Sequence, residues 1–345
     1  MNLLSPCTSL WGTAEIRAAD PDISVVREGF YLPYAHGRGW GLFEGDGSPV
    51  AAAADFREGT HLPPDQSLHT DLTADRIARS APGGAYIYGG RINPHFGHFL
   101  INTLPRFWAM ARIRSPRTPI LCHGPGTPEG WFGVPFIAAA FALIGLAPRD
   151  FVTFDEPTRV RSVVVPSTSL EEQCAAHRAY GDLCAKMGDR IRSTAQIEPS
   201  DRPIYYSKTR LSSAVGRITN EDEIEAVLSR AGVEIVYPET LSFVDQIRLM
   251  SARQRIMGSA GSFLHASVFC PGRRITCLNV TEQINSNYVL IDALASNAST
   301  YHHPAALEVL QKQENFLTLR YLPQAAAVAE ELLAIMNSGG TAGGA

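Results

Sequence analysis

The chain has 345 residues, of which 45% are hydrophobic and 19% are charged, and its formal net charge is −4. This length suggests two domains or one large domain, and the hydrophobic content is sufficient for complete cores. The weakly acidic balance, without a long basic run, argues against a nucleic-acid-binding protein. The N-terminal sequence lacks the features of a signal peptide, and the most apolar run, 134–146, is too short to cross a bilayer.

The first 80 residues are predicted to form strands and turns, and residues 39–44 and 49–56 flank Gly45-Asp46-Gly47, a sequence typical of a hairpin turn. Three short apolar runs then alternate with three segments of helical periodicity, which predicts an α/β arrangement. Asn93 is the predicted N-cap of the first of these helices, and Pro105 is expected to kink or restart it. The predicted strands are Tyr86–Tyr88, Ile120–Cys122 and Val163–Val165, and the predicted helices are 94–113, 134–146 and 170–194.

A second alternating segment begins after residues 197–202 (IEPSDR), the best candidate for a linker. Asn220 with Glu223 resembles a capping box, Gly232 is placed to end that helix, and Ser242 is predicted to cap the next one. Connections of this length favour right-handed crossovers and a parallel sheet. The predicted strands are Ile204–Tyr206, Val233–Tyr237, Arg255–Gly258 and Arg274–Val280.

These patterns predict a doubled α/β architecture in three parts. An N-terminal α/β domain with a β-rich start is expected over 1–196, and a Rossmann-like domain over 197–323. Residues 324–345 are predicted to form an alanine-rich helix followed by a disordered glycine-rich end.

Two clusters at predicted strand ends are candidates for binding an anion. In the first, Ser207, Lys208 and Arg210 follow the strand 204–206, and Arg217 lies a few residues further on. Guanidinium groups bind phosphate bidentately and stay charged at any working pH. An ordinary solvated loop face is the alternative interpretation of these side chains.

The second cluster is Gly258-Ser259-Ala260-Gly261-Ser262, which runs from a strand end into a helix start. Small residues let a ligand approach the backbone, and the first N–H groups and the dipole of a helix favour an anion. Such a turn is also common in α/β proteins that bind nothing there. Because ligands bind at the carboxyl edge of a parallel sheet, the two clusters together predict a pyrophosphate site.

The helix 94–113 carries a polar stripe among apolar neighbours. Its members are spaced three, four and four residues apart and should share one face: His95, His98, Asn102 and Arg106. Buried polar groups need partners, which a substrate cleft would supply. The alternatives are a core histidine for His98, a surface residue for His95, and either a salt bridge or a phosphate contact for Arg106. The His-x-x-His spacing allows a metal, but no Cys, Asp or Glu ligand is near in sequence, so none is expected.

Two blocks of the sequence resemble glycosyltransferase family 61, the DUF563-type proteins. The first is GGRINPHFGHFLINTLPRFWA at 89–109, which is similar to the family's GHW/GHF-leucine-leucine-x-x-LPR block. The matching residues of the second block are Ser207-Lys208, Arg217, Asn220-Glu221, Pro238-Glu239, Gln246, Gly258, Gly261-Ser262 and Phe269. The resemblance covers roughly residues 80–280. It departs at Asn102, where many members carry Asp or Glu, and at 259–262, where many read His-Gly-Ala-Gly.

The family includes bacterial capsular-polysaccharide enzymes and eukaryotic xylosyl- and N-acetylglucosaminyltransferases. The resemblance therefore implies an inverting glycosyltransferase, a hexosyl- or pentosyltransferase, with a nucleotide-sugar donor (most simply a UDP-sugar) and a polysaccharide or glycan acceptor. It also implies a GT-B-like fold, in which two Rossmann-like halves hold the active site in the cleft between them. No metal or other cofactor is expected, because cationic side chains and a helix dipole would stabilise the diphosphate.

In this interpretation His98 is the general base, with His95 and Asn102 beside it. The donor and phosphate site is assigned to Lys208, Arg210, Arg217, Glu239, Gly258, Ser259, Gly261, Ser262 and His265. A solvated turn carboxylate is the alternative for Glu239, and a helix-packing histidine is the alternative for His265. Because Asn102 removes an obvious carboxylate base, the alternative function is an inactive relative that binds a glycan or acts as a scaffold. An NAD-dependent oxidoreductase is disfavoured, since no Gly-x-Gly-x-x-Gly is present.

The cysteine pattern bears on the compartment of the protein. Cys174 and Cys184 are ten residues apart on a predicted helix, a spacing that suits neither zinc nor a disulfide. The six cysteines are therefore expected to be reduced, mostly buried thiols in a cytoplasmic protein, and a peripheral association with the inner face of the membrane is left open. The expected partners are the nucleotide sugar and the glycan acceptor.

Overall fold

The computed structural model describes residues 2–35, 39–61, 66–194, 197–211, 216–312 and 318–338. These residues form a mixed α/β protein with 22 strands, most of them short. The strands are β1 (Leu4–Pro6), β2 (Ser9–Trp11), β3 (Glu15–Arg17), β4 (Ile23–Leu32), β5 (Gly41–Phe43), β6 (Phe56–Arg57), β7 (Thr60–His61), β8 (Tyr86–Arg91), β9 (Ile120–His123), β10 (Phe151–Val152), β11 (Thr158–Pro166), β12 (Leu170–Glu171), β13 (Ala175–His177), β14 (Ile204–Tyr206), β15 (Gly216–Ile218), β16 (Glu234–Val236), β17 (Arg255–Ser259), β18 (Arg274–Leu278), β19 (Gln283–Asn285), β20 (Ala298–Pro304), β21 (Glu308–Lys312) and β22 (Thr318–Tyr321).

Ten α-helices lie between and after these strands, and none of the described helices is long and apolar enough to cross a membrane. They are α1 (Phe96–His98), α2 (Met110–Ile113), α3 (Pro128–Phe132), α4 (Pro135–Leu143), α5 (Arg178–Ser193), α6 (Glu221–Arg230), α7 (Phe243–Ala252), α8 (Ser262–Ala266), α9 (Ser286–Ala295) and α10 (Ala325–Ser338).

The chain divides into two compact units. One unit is Gly12–Leu183, and the other joins Met1–Trp11 to Cys184–Ala345, each taken over its described residues. The domain bounds expected from the sequence, with a break near 196, stay a prediction.

The larger sheet of the Gly12–Leu183 unit has the strand order β10-β9-β8-β11-β4-β5. The first four strands are parallel, whereas β4 and β5 run antiparallel to their neighbours. The chain moves outward from β8 to β9 and β10, and then returns to add β11 on the other side of β8. The order therefore reverses between β8 and β11, and in open α/β sheets ligands bind at the carboxyl ends of the strands beside such a reversal.

The larger sheet of the other unit has the order β1-β20-β18-β17-β14-β16. Five of its strands are parallel, and β1 runs antiparallel to β20 at the edge. Because β14 lies between β16 and β17, the order reverses between β14 and β17. The residues that follow these two strands, Ser207 and Ala260, therefore lie at one edge of the sheet.

Apolar faces of both sheets are buried in separate cores. Val163 and Val165 of β11 share a core with Tyr86 and Tyr88 of β8. In the other unit, β14 and β17 pack with residues of α6 and α10 around Leu332. The alanine-rich helix predicted near the C-terminus is thus confirmed as part of this core, while the predicted glycine-rich end lies outside the described residues.

Most predicted strands and helix starts are confirmed. The strands predicted in both halves correspond to β8, β9, β11, β14, β16, β17 and β18, and those in the second half pair in parallel. Ser242 accepts the N–H of Asp245 and caps α7, and Gly232 ends the preceding helix region with φ +85°. Asn220 precedes α6 as predicted, but its side-chain amide donates to the Glu223 carboxylate at 3.1 Å. The predicted capping box is therefore wrong.

Two predictions in the first unit are confirmed only in part, because tertiary pairing overrides local propensity. The hairpin around Gly47 forms in a short version, in which the Glu44 N–H donates to Ser48 O at 2.9 Å and Phe43 makes an antiparallel bridge with Pro49. Its second strand does not continue, since Ala51–Ala53 is a 3₁₀ turn, and the longer pairing of β5 is with β4. The helix predicted over 170–194 begins only at Arg178, since β12 and β13 occupy its first part. Cys174 is therefore not helical.

The expectation of mostly buried cysteines is confirmed. The six cysteines form no disulfide, and four of them are buried.

Candidate active site

The histidine-bearing segment follows the carboxyl end of β8, beside the reversal of the first sheet. Asn93 Oδ1 accepts the N–H of His95 at 3.0 Å, and α1 begins at Phe96. The residue in the N-cap position is therefore His95, and the prediction of Asn93 as the cap was wrong. This turn places His98 at the end of α1, with 42% of its side chain exposed.

The polar stripe does not continue along one regular helix. The segment Phe99–Thr103 is a π-helical turn, and Leu104–Ala109 is a 3₁₀ helix. A restart at Pro105 was expected, because proline has no N–H to donate to the preceding turn. The change of pitch keeps His98 and Asn102 together but directs Arg106 into the core.

Arg106 is fully buried and forms an ion pair. Its guanidinium donates to Asp55 Oδ1 at 2.9 Å and to the carbonyl oxygens of Ala52 and Ala54 at 2.7 Å each. Gly90 makes room for it, because a Cβ there would lie 2.4 Å from Arg106 Cδ. Of the two alternatives for Arg106, the structure shows the salt bridge.

His98 is oriented by an oxygen acceptor on the same segment. His98 Nδ1 lies 3.0 Å from Asn102 Oδ1, and Asn102 is 8% exposed. An amide oxygen can only accept, so Nδ1 carries the hydrogen and Nε2 keeps its lone pair. A half-exposed imidazole in this tautomer is suited to take a proton from a substrate hydroxyl.

Glu172 is a site residue that the sequence did not reveal. Its carboxylate is 2% exposed, and Oε1 lies 3.6 Å from His98 Nδ1. Burial acts to raise the pKa of Glu172, but the interaction with His98 and the charge of Arg57 outweigh it and lower the pKa to about 2. The carboxylate is therefore charged at any working pH. It lies between β12 and β13, where a helix was predicted, so no spacing rule connected it to His98.

His95 is the neighbour of His98 on the same turn. Their ring centroids are 5.1 Å apart. The pKa of His95 is lowered, mainly by partial burial and to a smaller extent by the nearby His98. Within the part of the chain that the structure describes, no three His, Cys, Asp or Glu side chains are grouped closely enough to hold a metal ion. The direct role predicted for His95 stays a prediction.

A cavity of about 290 Å³ lies near the end of β11 in the same unit. Its polar lining includes Arg17, Asp22, Thr168 and His177. None of the site residues predicted from the sequence is among the described residues that line it.

In the second unit, Lys208 stands at the reversal between β14 and β17. Its Nζ donates to Ala260 O at 2.9 Å, and its backbone N–H donates to Glu221 Oε2 at 3.3 Å. Burial lowers the pKa of Lys208, the Glu221 charge opposes this, and the positive charges of Arg320 and Arg217 lower it further. Two arginines thus act on Lys208 at this edge, and of these Arg320 was not indicated by the sequence.

A buried network lies beneath Lys208. Tyr205 OH donates to Glu221 Oε1 at 2.8 Å, Ser259 Oγ donates to the same oxygen at 2.5 Å, and the two hydroxyl groups are 3.0 Å apart. Burial raises the pKa of Glu221, against the hydrogen bonds from these two groups. Ser259, predicted as a phosphate ligand, therefore supports the loop through this network. Its direct contact with a ligand stays a prediction.

The loop after β14 is held by hydrogen bonds and ring stacking. Arg217 Nη2 donates to Thr209 O at 3.0 Å, and the exposed Arg210 guanidinium lies 3.7 Å from the centre of the Tyr237 ring. Tyr237 OH and the Thr209 hydroxyl donate to the two oxygens of Glu225 at 2.7 and 2.6 Å. Stacking on an aromatic ring restricts the Arg210 side chain and leaves its N–H groups able to donate.

The small-residue turn has a packing role as well as the predicted binding role. A Cβ at Gly258 would lie 2.9 Å from both the Phe263 ring and Tyr206 O, so glycine is required for close packing there. At Gly261 a Cβ would make only an ordinary contact, 3.7 Å from Lys208 Cδ. Helix α8 has five residues, so its dipole contributes less than the sequence suggested.

The remaining predicted donor residues differ in their surroundings. His265 is 7% exposed, with its ring centroid 5.1 Å from that of Tyr288, an arrangement that favours the helix-packing alternative. Ser262 is the first residue of α8, and Glu239 is exposed on the 3₁₀ turn Pro238–Thr240. Their contacts with a donor stay predictions.

Each of the two larger sheets has a polar cluster beside the reversal of its strand order, which is the edge at which open α/β sheets bind ligands. The family model described as Glycosyltransferase 61 matches residues 96–277, more than half of the chain. The chain therefore belongs to glycosyltransferase family 61, as the resemblance of its two sequence blocks predicted, and this membership indicates glycosyltransferase activity. The match includes His98 and Lys208, whereas Arg57 and Arg320 lie outside it. A comparison with curated proteins found no match.

Proposed function

We propose that the protein is an inverting glycosyltransferase that moves a hexose or pentose from a nucleotide sugar, a UDP-sugar, to a polysaccharide or other glycan. In this proposal the two compact units are the halves of a GT-B arrangement. The unit that holds Lys208 binds the donor, and the unit that holds His98 binds the acceptor. The enzyme acts in the cytoplasm, at the inner face of the membrane where the acceptor is lipid-linked.

The orientation of His98 is the observation that carries this proposal. With Nδ1–H directed at Asn102, Nε2 accepts the proton of the acceptor hydroxyl while the hydroxyl oxygen bonds to the anomeric carbon. The bond from that carbon to the diphosphate oxygen breaks, and its electron pair leaves with the nucleoside diphosphate. Attack opposite the leaving group inverts the configuration at the anomeric carbon.

The cations near Lys208 support the donor half of the proposal. Lys208 Nζ uses one hydrogen on Ala260 O, which leaves two for phosphate oxygens. Arg210 and Arg217 add guanidinium groups, which suit bidentate contacts with phosphate. These charges stabilise the departing diphosphate, so the proposed reaction requires no metal and no other cofactor.

Thermal unfolding with UDP, GDP, CMP, ADP and NAD tests the donor site. A ligand at about 100 times its dissociation constant adds roughly 2.7 kcal/mol, which is readily detected as a rise in melting temperature. The test variant is Arg210→Ala, at the ligand edge of the sheet. Its matched control is Arg230→Ala, an exposed arginine at the other end of α6, about 14 Å from the start of that helix.

We expect one nucleoside diphosphate to stabilise the wild type and Arg230→Ala, and to stabilise Arg210→Ala much less. No stabilisation by any of these nucleotides would contradict the glycosyltransferase proposal. Nucleotide binding without release of nucleoside diphosphate from any nucleotide sugar would favour the alternative that Asn102 suggests. That alternative is an inactive relative that binds a glycan or acts as a scaffold.

A further inference from the structure

The surroundings of Glu172 are unusual for a structural carboxylate. It is 2% exposed, and its Oε2 accepts two hydrogen bonds from the Arg57 guanidinium, one of them from Nε at 2.8 Å. Its Oε1 is also buried and has no hydrogen-bond partner within 3.5 Å among the described residues. A buried acceptor without a donor is costly, so the direction in which Oε1 points matters.

Oε1 faces His98. The distance from Oε1 to His98 Nδ1 is 3.6 Å, and Nδ1 is the nitrogen that also faces Asn102. The imidazole is 42% exposed, so it lies between a buried anion on one side and solvent on the other. A carboxylate placed behind a histidine in this way fixes the tautomer and stabilises the imidazolium that forms when the outer nitrogen takes a proton.

The backbone holds Glu172 in place. Its carbonyl oxygen accepts the N–H of Glu58 at 3.1 Å, and Arg57 and Glu172 form a parallel β-bridge. The next residue, Gln173, has φ +55°, a left-handed conformation that few residues other than glycine adopt. Such conformations cluster at functional sites, where the surrounding structure enforces them.

We propose that Glu172 is the positioning residue for the base His98, acting on Nδ1 together with Asn102. The inference rests on the proposed function, because it concerns the same proton transfer. During transfer the acceptor proton moves to Nε2, and the positive charge on the ring is balanced by the Glu172 carboxylate. Among the described residues, the titratable and charged groups that face His98 are His95 and Glu172, with Arg57 behind the carboxylate.

The kinetic test uses release of nucleoside diphosphate from a panel of UDP- and GDP-sugars across pH. Glu172→Gln keeps the shape of the side chain and removes its charge. We expect kcat to fall about 10- to 100-fold, part of the 10²–10⁴-fold that a general base contributes. We also expect the acidic limb of the rate profile to move to lower pH, because the protonated ring is no longer stabilised. A purely structural role would leave that limb in place.

Two further variants sharpen the test. Glu171→Gln removes a neighbouring carboxylate that accepts the N–H of Gly59 at 3.0 Å, and it should change neither kcat nor the profile. Asn102→Asp in the Glu172→Gln background restores a carboxylate 3.0 Å from the same ring nitrogen. It should recover at least about tenfold of the lost rate. Failure of this rescue in a folded double variant would overturn the proposal.

A measurement without turnover separates this inference from the proposed function. In protein with ¹⁵N-labelled histidine, the ring signals of His98 are assigned by their loss in His98→Gln. We expect the Nδ1 chemical shift, measured at one fixed pH, to change in Glu172→Gln, to stay as in the wild type in Glu171→Gln, and to return toward the wild-type value in the double variant. An unchanged Nδ1 signal in Glu172→Gln would refute the pairing of Glu172 with His98. If the pairing is seen but no sugar nucleotide is cleaved, the proposed function fails and the pairing stands.

Discussion

Glu172 should make a large, pH-dependent contribution to stability. Its pKa is lowered from an ordinary value of 4.5 to about 2 by His98 and Arg57, against the effect of burial. At ~1.4 kcal/mol for each pH unit, this interval corresponds to about 3 kcal/mol. Because the pKa of the folded state is the lower one, this stability is fully present above pH 4.5 and is lost as the pH falls toward 2.

The assay is urea unfolding of the wild type, Glu172→Gln and the control Glu171→Gln at several pH values from 7 down to 3. The free energy of unfolding of Glu172→Gln should lie up to about 3 kcal/mol below that of the wild type at pH 7, the upper value applying if His98 and Arg57 both contribute fully. The difference should begin to shrink below pH 4.5 and fall below about half of its neutral value near pH 3. The control should follow the wild type within about 0.5 kcal/mol throughout.

The comparison between pH values decides whether charge is the cause. Loss of packing or of a neutral hydrogen bond would lower stability equally at pH 7 and pH 3. A difference that stays constant across this range would therefore refute the claim that His98 and Arg57 hold the Glu172 carboxylate in its charged form. It would also remove one support for the role of Glu172 at the active site.

Three other substitutions, one of them a control, test the packing and electrostatics of the second unit by urea unfolding. Gly258→Ala should lower the free energy of unfolding by about 1–3 kcal/mol, because the new methyl group overlaps a ring and a carbonyl oxygen. The control Gly261→Ala, at a site with ordinary contacts and extended backbone, should change it by no more than about 0.5 kcal/mol. Equal losses in the two variants would contradict the close packing at Gly258. Burial raises the pKa of Asp292 to about 6 from an ordinary 3.8, so wild-type stability should fall as the pH rises between these values, and Asp292→Asn should gain up to about 3 kcal/mol at pH 7.5. The gain in stability should vanish below pH 3.8. A gain that is the same at every pH would contradict the raised pKa of Asp292 as its cause.

Local sequence signals predicted the parallel sheets well. Apolar β-branched runs such as Val163–Val165 mark buried strands, and capping by Ser242 depends only on neighbouring residues. Pairing partners were not predictable in the same way. The run Ala175–His177 is compatible with a helix, but it pairs with β3, more than 150 residues earlier in the chain. Whether such a segment forms a helix or a strand is decided by its tertiary contacts, which local propensity does not describe.

The candidate site shows the same division. The spacing along the chain correctly predicted that His98 and Asn102 lie together, since they are four residues apart on one segment. It also suggested that Arg106 shares their face, which a π-helical turn and a 3₁₀ helix prevent. Glu172 is 74 residues beyond His98, as their numbers show, and the tertiary fold brings Oε1 within 3.6 Å of His98 Nδ1.

A common arrangement connects the two polar clusters, each within its own unit. In each cluster, a side chain suited to substrate stands in front of a carboxylate supplied by a different element. Glu172 lies behind His98, Glu221 accepts the backbone N–H of Lys208, and Glu225 accepts the hydroxyl of Tyr237, on whose ring Arg210 stacks. We expect a carboxylate in this position to fix the geometry of its neighbour and not to contact the ligand itself. Removal of such a carboxylate should therefore change the reaction rate and its pH dependence, while the groups that contact the substrate stay the same.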